Sequence, residues 1–181
     1  MQKKSIYKYA SEAGLPTGLY LTIMSACLLL SVKIPFLPML TLPLAIGFPF
    51  LLLALMRKIK REEPSYSKFS SLWLGGIYTV IFGTLICMFL SALYLVFVEP
   101  GFVHQYVNNA LLAVEESPFA DQYESSVALM REAMEAHILP SGLEFLSSMA
   151  WLTCFIGSIL SLIIALIMSK GGSKFSSQVQ A

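Results

Sequence analysis

Residues 69–98 read FSSLWLGGIYTVIFGTLICMFLSALYLVFV, a stretch with no Asp, Glu, Lys, Arg or His. A helix rises about 1.5 Å per residue, so about 20 residues cross the ~30 Å hydrocarbon layer of a bilayer, and this stretch exceeds that length. Only a helix or a closed barrel satisfies its own backbone in lipid. Barrel strands alternate apolar and polar residues over segments of about ten. This stretch does not alternate, and neither do Leu28-Leu29-Leu30 or Leu51-Leu52-Leu53. A transmembrane helix is the reading.

Three more stretches share this character: 13–32, 34–56 and 145–169. The expected fold is therefore all-α, a polytopic membrane protein with transmembrane helices at 13–32, 34–56, 69–98 and 145–169. Residues 99–142 form an extracytoplasmic helical hairpin between the third and fourth. Composition agrees, because 56% of the chain is hydrophobic and only 13% charged, about half the charge of a soluble domain. The second stretch carries Pro35, Pro38, Pro43 and Pro49, each of which removes a helical donor, so a kinked crossing is expected with its regular helix from about Leu42 onward. Lys3, Lys4 and Lys8 ahead of Met24-Ser25-Ala26-Cys27 resemble a lipoprotein signal. The residues after Cys27 stay apolar, which favours a retained helix.

Charge placement orients the bundle. The segments 1–12, 57–68 and 170–181 hold Lys3, Lys4, Lys8, Arg57, Lys58, Lys60, Arg61, Lys68, Lys170 and Lys174, ten of the twelve basic residues. The opposite side holds Lys33 and Arg131 with Glu99, Glu115, Glu116, Asp121, Glu124, Glu132, Glu135 and Glu144. Basic residues mark the cytoplasmic side, so both termini are expected there. Arg57, Lys58, Lys60 and Arg61 are the topology determinants and candidate headgroup contacts. In the hairpin, Ser117-Pro118 reads as a helix start, and Tyr123, Val127, Met130, Met134 and Ile138 make one apolar face before Pro140 and Gly142 end it. That face is the candidate partner-binding surface.

Helices in lipid cannot draw on the hydrophobic effect to associate, so small residues that admit close approach mark their contacts. Gly14, Gly18, Thr22 and Ala26 recur every four residues in the first crossing. Gly75, Thr79, Gly83 and Cys87 do so in the third, and Thr153, Gly157, Ser161 and Ala165 in the fourth. These are the candidate packing residues.

Ionisable groups at membrane depth are costly and mark function, and none lies inside the four stretches. Tyr20, Tyr78, Tyr94, Ser25, Ser91 and Thr84 are the deepest polar groups. Cys27, Cys87 and Cys154 stand in separate stretches, which supports neither a disulfide framework nor a thiolate metal site. His104 and His137 lack metal-ligand spacing. No phosphate loop or nucleophile elbow occurs. No catalytic residue, cofactor or nucleic-acid partner is expected.

The layout resembles a family of uncharacterised bacterial membrane proteins, domain of unknown function 4199, known mainly from the Bacteroidetes. The resemblance rests on length, on the basic turn from Arg57 to Arg61, on Tyr66-Ser67-Lys68-Phe69 leading into a Gly75-containing helix, on the acidic segment ending near Pro140, and on a fourth helix closing with Lys170. It implies no activity, since a shared fold does not assign one. It does imply proximity to genes for membrane glycosyltransferases. The functional expectation is a non-catalytic membrane subunit or scaffold, in contact with membrane lipids, that forms a homo- or hetero-oligomer with itself or with a polyprenyl-phosphate-dependent glycosyltransferase. The alternative is a small lipid or lipid-linked-sugar transporter, suggested by the proline-interrupted second crossing.

Overall fold

A computed structural model describes residues 6–34, 36–62, 68–118, 120–136 and 138–170. Pro35, Tyr66, Ser67, His137 and the lysines at 3, 4 and 174 lie outside these. Among the described residues six α-helices follow in order: α1 (Ile6–Leu29), α2 (Pro38–Glu62), α3 (Phe69–Phe97), α4 (Phe102–Glu115), α5 (Ala120–Glu135) and α6 (Gly142–Lys170). There is no strand among the described residues. The fold is all-helical. Four helices, α1 with its short 3-10 extension Leu30–Val32, α2, α3 and α6, are long and apolar enough to cross a membrane. The chain is a membrane protein.

α3 is the central element, packed against α1 on one side and α6 on the other. α1 begins several residues before the uncharged stretch, because Tyr9 and Ala13 bury against Ile59 of α2. α2 starts at Pro38, where a proline costs nothing since the first helical N–H has no intrahelical acceptor. It carries Pro43 and Pro49 inside. It ends at Glu62, so Arg57, Lys58, Lys60 and Arg61 form its last turns rather than a loop. α3 stops where Val98 and Glu99 both donate their N–H groups to the Tyr94 carbonyl, and Pro100 and Gly101 follow.

Buried apolar residues form one cluster along the middle and basic end of the bundle, with Leu21, Leu52, Met56, Leu72 and Val80 at its centre. A second cluster at the other end joins Leu29, Leu95 and Leu146 to Phe102 and Val103 of α4. The α4–α5 hairpin is thus seated on the bundle by α4. Arg131 of α5 donates to Glu115 of α4 at 2.6 Å and holds the two helices together. α5 begins at Ala120, later than Ser117-Pro118, and the Ser117 hydroxyl donates to the Val114 carbonyl at the end of α4. α6 opens on a reciprocal cap: the Glu144 carboxylate accepts from the Ser141 N–H at 2.8 Å, and the Glu144 N–H donates to the Ser141 hydroxyl at 3.3 Å.

Candidate functional site

The small residues are spent on joining the helices of this chain to each other. A Cβ added at Gly14 would stand 2.6 Å from Cβ of Phe82, and one at Gly18 would stand 2.8 Å from Cβ of Ile86. One at Gly83 would meet Thr17 Cγ2 at 2.6 Å and the Gly18 backbone N at 3.1 Å. α1 and α3 therefore touch backbone to backbone. On the other side of α3, a Cβ at Gly157 would lie 2.5 Å from Val80, and one at Gly76 would lie 2.7 Å from the Ser161 hydroxyl. Thr79, Ser161 and Ala165 are fully buried and Gly75 is buried. Thr22, Ala26, Cys87 and Thr153 are only half-buried, toward the hairpin end of their seams. The four-residue step in the sequence does not single out Thr17, Gly76 and Val80, which complete both contacts. They belong to neighbouring faces of the same helices, and a seam that drifts around the helix recruits them.

At the hairpin end the bundle does not close. From Met39 to Phe50, α2 turns Met39, Leu42, Ile46 and Phe50 outward, whereas its buried residues Phe48, Leu52, Met56 and Ile59 all lie from its middle onward. Pro43 and Pro49 cannot donate to the carbonyls four residues before them, which leaves the Met39 and Ala45 carbonyls without their helical donors. Tyr20 of α1 bridges the gap by donating to the Leu44 carbonyl at 2.6 Å, passing over Gly47, where a Cβ would collide with its hydroxyl.

The space left is a cavity of about 290 Å³. α1 contributes Leu21, Met24, Ser25 and Leu28, α2 contributes Thr41, Leu42 and Ala45, α3 contributes Thr84, Cys87, Met88 and Ser91, and α6 contributes Phe145, Met149 and Thr153. Its wall is apolar except for hydroxyls and one thiol. Leu42 and Met149 are themselves exposed, so the cavity has a side toward the surrounding lipid. Most of the buried hydroxyls in the helices donate to the carbonyl one turn back, as Thr17, Thr79 and Ser161 do. The Ser25 and Ser91 hydroxyls pair across α1 and α3 at 2.9 Å. Thr84 differs. It is 6% exposed and its hydroxyl has no partner among the described residues.

The ends of the bundle hold the charges. Glu99, 7% exposed, accepts from Lys33 at 2.6 Å and from the Tyr94 hydroxyl at 3.1 Å. The hydrogen bond from Lys33 keeps the Glu99 carboxyl below its ordinary value against the opposing effect of burial, and the same bond raises the Lys33 ammonium above its own. The sequence shows both residues at span ends but not that they meet. At the other end Lys60 donates to the Met168 carbonyl of α6 at 2.8 Å, Lys58 approaches Glu62 at 3.9 Å, and Arg57 and Arg61 are exposed. On α5, Tyr123 and Met130 are exposed while Val127 and Met134 are half-buried; the helix ends at Glu135, so Ile138 is exposed beyond it and does not continue the expected helical face. Among the described residues no group of three His, Cys, Asp or Glu side chains is placed to hold a metal ion.

The family model described as "Protein of unknown function (DUF4199)" matches residues 12–170. No curated protein and no solved structure matches the chain.

Proposed function

The chain belongs to this family of unknown function, and from that premise we propose that it is a non-catalytic integral membrane subunit. It sits in the bacterial inner membrane with both termini in the cytoplasm, ten of its twelve basic residues on that side and the α4–α5 hairpin on the other. The observation that carries this reading is the division of labour among its surfaces. The small-residue faces of α1, α3 and α6 are consumed inside the chain, whereas α5 keeps Tyr123, Leu129 and Met130 exposed, and Ile138 is exposed beyond its end. Exposed apolar side chains on an anchored hairpin suit a partner, either a second copy or a membrane enzyme such as a polyprenyl-phosphate-dependent glycosyltransferase. The mass of the purified complex in mild detergent tests this. A stoichiometric assembly that dissociates in Met130→Glu, with the helical content of the monomer unchanged, is the expected result. A lone monomer for the unaltered chain overturns it.

A second reading, a carrier of small lipids or lipid-linked sugars, is favoured by the lipid-facing cavity beside the proline-interrupted half of α2. Liposomes containing the protein then exchange labelled lipid between leaflets faster than protein-free ones. Equal rates exclude it.

A further inference from the structure

We propose that Arg57 and Arg61 form a binding site for the phosphate of an anionic phospholipid in the leaflet at the basic end of the bundle, with the acyl chains of that lipid lying along the outer face of α2. The site goes beyond the subunit role and holds whichever partner the hairpin meets.

The structure divides the four basic residues at the end of α2. Lys60 donates to the Met168 carbonyl of α6 at 2.8 Å, and Lys58 approaches Glu62 at 3.9 Å. Lys58 and Glu62 share a small hollow with Tyr9 and Glu12 of α1, so the Glu12 and Glu62 carboxylates stand on the α1 side. Arg57 and Arg61 are exposed, and neither has a carboxylate partner among the described residues. They are one helical turn apart, where like charges repel. An anion held between them removes that repulsion.

Direction comes from the helix. Met39, Ile46, Phe50, Arg57 and Arg61 follow one another at steps of seven, four, seven and four residues, which keeps them on one face of a helix with 3.6 residues per turn. Met39, Ile46 and Phe50 are strongly exposed, and the buried Phe48, Leu52, Met56 and Ile59 lie opposite. On a span, an exposed apolar stripe is the one turned to lipid. The two arginines therefore continue the lipid-facing stripe of α2 instead of pointing at another helix.

Depth agrees. With Pro38, the first residue of α2, at the far edge of the hydrocarbon layer, Arg57 stands about 28 Å along the axis and Arg61 about 6 Å further. That layer is about 30 Å thick and the headgroups begin beyond it. The guanidinium groups thus bracket the level of the phosphates, and Phe50 lies about 10 Å deeper among the chains.

The chemistry of the pair selects the ligand. A guanidinium donates two parallel hydrogen bonds to phosphate oxygens and gives up water more readily than an ammonium does. A zwitterionic phospholipid carries its own cation beside the phosphate, which competes with the arginines, whereas phosphatidylglycerol carries none. The apolar stripe adds a seat for acyl chains that a soluble phosphate does not have.

The test uses the full chain in mild detergent with an equimolar mixture of palmitoyl-oleoyl phosphatidylglycerol and the phosphatidylcholine of the same chains, read by native mass spectrometry. The expected result is one phosphatidylglycerol retained per chain in preference to phosphatidylcholine. Arg57→Gln and Arg61→Gln should each weaken retention about three- to tenfold, the loss of one partly screened, charge-assisted hydrogen bond. Arg57→Lys keeps the charge without the fork and should lose about threefold. Lys8→Gln removes the same charge from the exposed surface of α1 at this end and should retain the lipid as the parent does. Millimolar glycerol 3-phosphate should not displace it. Circular dichroism checks that each variant is folded. Equal retention of the two lipids overturns the proposal. So does parent-like retention in the folded Arg57→Gln, Arg61→Gln double variant, or a loss in Lys8→Gln as large as in Arg57→Gln, which would leave only diffuse surface charge. Displacement by glycerol 3-phosphate also overturns it, since the arginines would then serve a soluble phosphate.

Discussion

The α1–α3 contact and the hairpin-end half of α2 are built from equally apolar sequence, yet one is closed to backbone contact and the other stands open. At the first, Gly14, Gly18 and Gly83 have no Cβ, and the neighbours Thr17, Phe82 and Ile86 occupy the space one would fill. At the second, bulky residues at 39, 42, 46 and 50 point outward and Gly47 meets only the end of Tyr20. In water both would collapse to hide apolar surface. In lipid apolar surface gains nothing by hiding, so tightness follows where side chains are missing and complementary.

The most damaging way to break this contrast is to fill the closed contact. Gly83→Leu drives a side chain into Thr17 and the Gly18 backbone, and backbone cannot yield as a flexible side chain can. Overpacking typically costs about 1–3 kcal/mol, and this site is expected at or above the upper figure. Unfolding of purified protein by detergent titration, followed by helical circular dichroism, measures it. Ile46→Leu, on the exposed face of α2, should fall within about 0.5 kcal/mol of the parent in the same assay.

Emptying rather than filling gives a smaller effect. Met56 is 1% exposed, with its sulfur beside Gly76 in the α2–α3–α6 cluster. Met56→Ala leaves a void and forfeits dispersion contacts, but no water-transfer term is lost because lipid is as apolar as the core. The cost should sit near the low end of the soluble-protein range, about 2 kcal/mol. Ile46→Ala, where lipid simply refills the space, should cost little. If the two substitutions prove equal, the closed half is no better packed than the open one.

How much of this was legible in the sequence follows from which forces leave a local trace. Uncharged length leaves one, and the four spans are readable from it. Small residues leave one too, which is why Gly14, Gly18, Gly83, Gly157 and Ser161 could be named from a four-residue step. The Ser141–Glu144 cap was visible as Ser-x-x-Glu but lay outside the uncharged stretch that drew attention to α6. The cavity was not legible. It arises where α2 meets three other helices, and Thr84 looks like any other threonine until its neighbours are known. The Lys33–Glu99 pair joins residues far apart in the chain, and nothing in either local sequence reports the meeting.

Lys60 sharpens the comparison at the closed end. The sequence counts it toward topology and headgroup contact, but its ammonium donates to the Met168 carbonyl near the C-terminus of α6, where the last carbonyls lack helical donors and the helix dipole is negative. Lys60→Met keeps the apolar stem and removes the donor. The expected loss is about 0.5–1 kcal/mol by detergent unfolding, with more rapid hydrogen exchange confined to the last turn of α6. Exchange unchanged in that turn would show that the bond does not hold it.

The smallest effect is expected at the open end, in the response to pH. Glu99 has its folded-state value lowered from 4.5, chiefly by the hydrogen bond from Lys33. Its contribution to stability is therefore complete above about 4.5 and is lost as pH falls through that value toward the lowered one, because the unfolded chain takes up the proton first. Lys33 is raised from 10.5 by the same bond, so its contribution is complete below 10.5 and lost only as pH rises beyond it. Between these limits the pair imposes no slope. Lys33 is half exposed, so solvent and salt screen the attraction and the acid-side loss should be modest. Melting temperature measured from pH 7 down to pH 3 should fall less steeply in Glu99→Gln than in the parent, because the variant has no carboxylate to protonate there. Parallel curves would mean that the Lys33–Glu99 bridge does not fasten the end of α1 to the turn after α3, leaving the apolar cluster around Phe102 to hold that end alone.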